Sequence, residues 1–365
     1  MNRPSYPPAQ SVAATLAEHF RNHSGERAPG VAAIERLINA AFWASLRREE
    51  GREPTISLAY VPREAVGTAL FVERPLPLTP DTLTRLAPAV ERPGIHLGVW
   101  PNGGGGGNDL VVWGATRNIP AYTFVVEVIE PGLLVIKHRR PGPGGKFANI
   151  AVLQGDAVKI IDAQGTRECD DCPDIVLTLL GFDQEGGNTD NVLLALALSM
   201  RAHRHGGSLL VVPHDSNEWR KSILKPVPYT VAPPFAKLGQ LAQSGVRDGN
   251  FKDAVDAIAG LTAVDGAVVL SDTYDVLAFG AKIVRTDSGA LLEEVLVREP
   301  VVGSEPVKVD PSELGGTRHL SAAQFVFEQR DSLALVASQD GRFTVFGWSP
   351  QAAMVHAYRV EALLL

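Results

Sequence analysis

The chain has 365 residues, of which 45% are hydrophobic and 21% charged, and its formal net charge is −7. That length predicts two domains, each large enough for its own core, and the acidic balance excludes a general attraction for nucleic acid or an anionic membrane. No apolar run approaches the roughly 18 residues of a membrane span, and residues 1–10 are proline-rich without a signal peptide's apolar centre, so a cytoplasmic protein with no nucleic-acid or membrane partner is expected.

Residues 1–30 are polar, with Pro and Gly, and predict a loose arm. Residues 31–50 predict an amphipathic helix: Ile34, Leu37, Ile38, Ala41, Phe42 and Leu46 form one stripe, and Gly51 stops it. From 55 to 162 the pattern changes to short apolar runs broken by Pro and Gly. Strands are expected at 56–61, 68–72, 95–99, 110–113, 122–129, 133–138, 150–153 and 158–161, with a short helix at 83–90. Residues 1–170 therefore read as a β-rich domain with an early helix.

Three motifs in this half invite a functional reading and do not earn it. The glycine run at 101–108 has no helix and no Lys-Ser/Thr after it, so it reads as a hairpin tip rather than a phosphate loop. Lys137-His-Arg-Arg140 lacks the interleaved aromatics of a single-strand groove and reads as a solvated loop. Cys169 and Cys172 supply two of the four ligands a zinc site wants, in an acidic setting that does not favour thiolate, so an exposed linker with reduced thiols is expected.

Residues 175–365 predict a second, α/β domain. The apolar run at 175–181 reads as a strand. A helix is expected from Asn188 to Ala202, closed by Gly206-Gly207, and a buried strand at 208–213. Helices follow at 235–243 and 251–259, the second ended by Gly260. A hairpin spans 264–284 across residues 272–275. The state of 291–302 stays open. Gly315-Gly316-Thr317 then runs into a helix striped by Leu320, Ala323 and Phe327, with Thr317 as N-cap. Such a start offers free N–H groups to an anion, with Arg318 and His319 beside it. Strands at 333–338 and 343–347 are joined over Asp340-Gly341, and 352–365 reads as a helix or a strand.

Asp265-Gly266-Ala267 followed by Gly316-Thr317-Arg318-His319 resembles the paired motifs of the diadenylate cyclase (DAC) domain family, which read Asp-Gly-Ala and Gly-Thr-Arg-His-Arg. The segments 205–213 and 331–338 resemble that family's opening and closing strands. The likeness covers residues 190–350 and is nearest to the family's sensor-like DACNV branch. It implies a mixed sheet flanked by helices in a bacterial signalling protein. It also implies a purine nucleotide or cyclic dinucleotide held by Asp265, Gly266, Ala267, Gly316, Thr317, Arg318 and His319.

In active members two ATP molecules condense to cyclic di-AMP between two facing domains, which implies a homo-oligomer, Mg²⁺ or Mn²⁺, and Asp265 as the catalytic carboxylate. Two positions depart from that pattern. Leu320 stands where the family has its last arginine, and a leucine makes no bidentate phosphate contact. Gln339 stands where the family has a glutamate, and an amide is a weak metal ligand. Both departures favour a binding domain that signals to an effector protein over a cyclase. The alternatives are an active diadenylate cyclase, with Gln339 or Asp340 standing in at the metal, and a structural or assembly module.

Overall fold

The computed structural model describes residues 5–24, 27–102, 109–141, 147–167, 172–180, 192–245, 248–286 and 289–365. The chain is α/β and forms two compact units, residues 1–161 with Leu365, and residues 162–364.

The first unit is an eight-stranded sheet: β1 (Ile56–Tyr60), β2 (Ala69–Pro77), β3 (His96–Pro101), β4 (Leu110–Thr116), β5 (Phe124–Glu130), β6 (Leu133–Arg139), β7 (Phe147–Gln154) and β8 (Ala157–Ile160). The strand order is β2-β4-β3-β1-β5-β6-β7-β8. Among the described residues only the β1–β3 pair is parallel. Three helices, α1 (Pro7–Ser24), α2 (Val31–Ser45) and α3 (Pro80–Leu86), complete it. Val12, Leu16 and Phe20 of α1 and Ile34, Leu37 and Ile38 of α2 share one core with Leu58, Val126 and Leu134 of the sheet. The other face holds a smaller cluster around Trp113, whose indole N–H donates to Val61 O at 2.8 Å. A side chain on Gly98 would overlap that indole ring, so the glycine makes the room Trp113 fills.

All eight predicted strands form. The arm does not: residues 7–24 are a helix packed into the core. The two prolines sit at its first turn, where a missing N–H costs nothing, and Ala9, Val12, Ala13, Leu16, Ala17 and Phe20 repeat at helical spacing. The helix after it stops at Ser45, short of Gly51. The basic cluster is no solvated loop either. Lys137, His138 and Arg139 lie in β6; Lys137 pairs with Glu127, and His138 is buried. The glycines at 103–107 and the cysteine at 169 lie outside the described residues, while Cys172 is buried rather than on the exposed linker expected.

The second unit holds a nine-stranded mixed sheet: β9 (Gly207–Val212), β10 (Tyr229–Phe235), β11 (Ala267–Ser271), β12 (Val276–Ala281), β13 (Val295–Arg298), β14 (Val307–Val309), β15 (Leu333–Ala337), β16 (Phe343–Ser349) and β17 (Met354–Arg359). Its order is β10-β12-β11-β9-β15-β16-β17-β13-β14. The described helices are α4 (Ala163–Arg167), α5 (Asp174–Leu180), α6 (Val192–Ala202), α7 (Lys237–Ser244), α8 (Gly249–Leu261) and α9 (Thr317–Glu328). β9 and β11 run parallel at the centre and are buried on both faces, which is why they read as unbroken apolar runs. α9 crosses β9, β15, β16 and β17 and buries Ala322, Ala323, Phe325 and Val326 against them.

Here the described part of the run, 175–180, is helical, because a short apolar run carries no period that separates buried helix from buried strand. Phe235 ends an edge strand, and the helix begins only at Lys237. Gly260 lies inside α8, which continues to Leu261. Of the helix expected from 188, the described part is α6. The undecided segment contains β13, which pairs in parallel with β17.

Candidate functional site

Two parallel strands and one antiparallel strand fix where the motif residues meet. Ala267 of β11 stands opposite Ser208 of β9, and Gly207 of β9 stands opposite Ala337 of β15. β11 and β9 therefore begin, and β15 ends, at the same end of the sheet. Asp265-Gly266 leads into β11 and Gly206 leads into β9, so both steps lie at that end.

Arg318 reaches the same place from the start of α9. Gly206 has φ +71°, and a Cβ there would sit 3.3 Å from Arg318 Nη1, 3.3 Å from Ala337 O and 3.4 Å from Gln339 Cγ. Gln339 Nε2 donates to His205 O at 3.2 Å. Asp265, Gly206, Arg318 and Gln339 thus share one end of the sheet.

Asp265 is almost fully exposed there, at 85% of its side-chain area, and Lys282 Nζ lies 3.4 Å from its carboxylate. Gly266 has φ +106°, and any side chain on it would overlap the Gly280 backbone of β12. The Asp-Gly step is therefore demanded by the tight β11–β12 crossing, and Asp265 rides on it. Ala267 is a buried core residue.

The helix start departs from the expectation in detail. Gly316 occupies the N-cap position with extended backbone, no side chain caps the helix, and Thr317 is its first helical residue. Thr317 is exposed and leaves the leading N–H groups without a hydroxyl acceptor. His319 turns inward: it is 4% exposed, its ring lies edge-on to Phe346, and its Nε2 is buried without a hydrogen-bond partner. Burial pushes its pKa down, so it is a neutral packing residue rather than a cation at the mouth. Gly315, at φ +146°, makes room for it, since a Cβ there would stand 3.0 Å from His319 Nδ1. Leu320 is 39% exposed on the outer side of the helix.

The turn after β15 carries a second charged pair. Asp340 Oδ2 lies 3.3 Å from Arg342 Nε. Partial burial works to raise the Asp340 pKa. It is outweighed by hydrogen bonds from the Ser338 hydroxyl and the Arg342 N–H and by the Arg342 charge, which hold the carboxyl below its usual range. β15 already ends at Ala337, so Asp340 belongs to the turn and escapes strand alternation.

The donor set suits an anion better than a resident divalent ion. Asp265 brings one carboxylate that already faces an ammonium, and Gln339, whose N–H₂ donates to a backbone carbonyl, offers only a neutral amide oxygen. Among the described residues no three His, Cys, Asp or Glu side chains are arranged to hold a metal.

Sequence reasoning missed Lys282, His205 and Gly206. Gly206 looked like a helix stop, and its φ is indeed left-handed, but it also gives Arg318 its space. Lys282 was available from the hairpin: it follows Ala281, which faces Ala267, so it reaches the Asp265-Gly266 step that precedes β11.

Residues 23–117 match the family model described as the probable sensor domain DACNV. That stretch lies wholly within the first unit, whereas the motif pair read from the sequence lies in the second. No curated protein matches the chain. Among solved structures, a hypothetical membrane spanning protein from Bacillus cereus is similar at 16% identity and a TM-score of 0.29, over 50% of this chain and 68% of that one.

Proposed function

We propose that this chain, which carries a DACNV probable sensor domain in its first unit, is a nucleotide sensor whose second unit binds a purine nucleotide or cyclic dinucleotide. One observation carries this reading: Arg318, at an uncapped helix start, converges on Gly206 beside the Asp265 step at one end of the sheet. The free N–H groups of α9 and the Arg318 guanidinium are the phosphate-binding parts. Lys282 neutralises Asp265 until a ligand's hydroxyl or its own bound cation competes for that carboxylate.

The same site is poor at nucleotidyl transfer. That chemistry needs charge neutralised at the reacting phosphate and a metal beside the attacking oxygen. Leu320 brings no charge and His319 is turned into the core, so Arg318 is left as the one cationic side chain of its motif. Occupancy without turnover is what a sensor requires, and a homo-oligomer or a separate effector protein would read it.

Calorimetric titration of the intact chain with ATP and with cyclic di-AMP tests this, alongside product analysis after incubation with ATP and Mg²⁺ or Mn²⁺. Saturable binding lost in Arg318→Ala, with no cyclic di-AMP formed, is expected. Accumulation of cyclic di-AMP that stops in Asp265→Asn would make the protein a cyclase. Absence of binding to any purine nucleotide would leave only a structural module.

A further inference from the structure

The first unit holds a cavity that the nucleotide reading does not use. It has a volume of about 230 Å³ and is lined by His23, Ser24, Arg27, Tyr60, Pro120 and Thr123, with Val61, Pro62 and Ala121 as apolar wall. At about 30 Å³ per water-sized atom that is room for about eight non-hydrogen atoms.

The polar groups around it fall into two sets. One set is already committed to the walls. The Ser24 hydroxyl donates to Tyr122 O at 2.8 Å, and the Thr123 hydroxyl to Pro120 O at 2.8 Å. Arg139 Nη1 donates to Ile119 O at 3.0 Å, and Tyr122 N to Arg139 O at 2.7 Å, which ties the 119–123 wall to β6.

The other set is uncommitted. Tyr60 is 9% exposed, its ring lies 4.6 Å from that of Trp100, and its phenol has no hydrogen-bond partner among the described residues. The hydroxyl is not among the fully buried unpaired polar atoms, so it opens into the cavity, where it is available as a donor. Among the described residues Arg27 has no carboxylate partner, and none of those lining the cavity is an Asp or Glu. His23 Nδ1 meets His19 O at 2.8 Å, so that nitrogen carries the proton and Nε2 is left as an acceptor in the neutral ring.

We infer that this cavity is the binding site of a small oxyanion, a carboxylate or phosphate of at most about eight non-hydrogen atoms, held by Arg27 and the Tyr60 phenol. A guanidinium, a phenol donor and an imidazole acceptor at one cavity suit an oxygen acid that also bears a hydroxyl, such as hydrogen phosphate or a 2-hydroxycarboxylate. The site lies in the unit that contains the DACNV match, so it would give that unit its own ligand, independent of the second unit.

The test titrates the full-length chain, carrying ¹³C-labelled tyrosine rings, with inorganic phosphate and separately with L-lactate at constant ionic strength. Tyr60→Phe assigns the Tyr60 signal. A saturable shift of that signal with one of the two anions is expected, weakened at least tenfold in Arg27→Ala and unchanged in Arg318→Ala. The anion that shifts it tells phosphate from carboxylate. No saturable shift with either anion, or equal titration by Arg27→Ala, overturns the proposal. Loss of the shift in Arg318→Ala would place the binding event in the other unit and overturn the proposal equally.

Discussion

Gly206 and Arg318 lie against one another: Arg318 Nη1 is 3.3 Å from where a Cβ at 206 would be, closer than side chains normally pack. The left-handed φ of +71° at Gly206 adds a backbone reason for the same residue. Gly206→Ala should therefore cost about 1–2 kcal/mol of stability through φ alone. It should also displace Arg318 and weaken ATP binding more than it lowers the melting temperature explains. Calorimetry on Gly206→Ala and Arg318→Ala checks this, with the two variants expected to lose affinity for ATP in parallel.

How much of this was legible depends on whether the cause was local. The strands of the first unit were, because Pro and Gly punctuate each run and the runs are long enough to count. α1 was hidden by its own start, where Pro7 and Pro8 look like an unstructured arm although proline suits a first helical turn. β13 could not be read from residues 295–298, since its partner β17 lies far along the chain and pairs in parallel. At the site, Asp265 and Arg318 were found as a motif pair. Their neighbours Lys282, His205 and Gly206 were not, because register rather than sequence spacing brings them there. The motif sets His319 beside Arg318 as a phosphate ligand, but only packing against Phe346 shows that the ring turns in.

The buried histidines of the first unit make its stability depend on pH. Burial, with the Lys137 charge adding to it, holds His96 at a pKa of about 4. Burial also holds His19 and His138 at about 4, with repulsion from their neighbouring histidines adding to it. All three folded values lie below the unfolded value near 6.5, so the folded state refuses a proton that the unfolded state accepts. Their contribution is complete above about pH 6.5 and is lost as pH falls from there toward 4. The slope is up to about 1.4 kcal/mol per pH unit for His96, the most enclosed, and less for the other two. Urea melts at pH 7, 6, 5 and 4.5 should show the loss, and His96→Gln should flatten the curve.

Glu328, at the end of α9, organises the segment that leads toward β13. Its carboxylate accepts from Thr286 N at 3.1 Å, from the Ser222 hydroxyl at 2.7 Å and from Gln324 Nε2 at 3.0 Å. Gln324 in turn donates to Ala290 O and accepts from Leu292 N, both at 3.0 Å. Glu328→Ala leaves three donors in a half-buried place without their acceptor and should cost about 2–3 kcal/mol. Glu328→Gln keeps one acceptor oxygen and should cost about half as much. Amide exchange at Thr286 is the local readout: it should accelerate strongly in the alanine variant and little in the glutamine variant.

The two glycines ahead of α9 look alike in the sequence and should behave oppositely. Gly316 has φ −72°, an extended ψ and open space where a Cβ would go. Gly316→Ala should fold normally and lose only a few tenths of a kcal/mol at the N-cap. Gly315 has φ +146°, where a side chain is strained, and its Cβ would press on the buried His319 ring at 3.0 Å. Gly315→Ala should cost at least about 2 kcal/mol. It should also shift the first turn of α9, because the ring it pushes belongs to that turn. If the uncapped N–H groups of that turn hold phosphate, Gly315→Ala loses nucleotide affinity and Gly316→Ala retains it. Parallel thermal melts and ATP titrations of the two variants measure both effects, and equal behaviour of the pair would contradict the packing role given to Gly315.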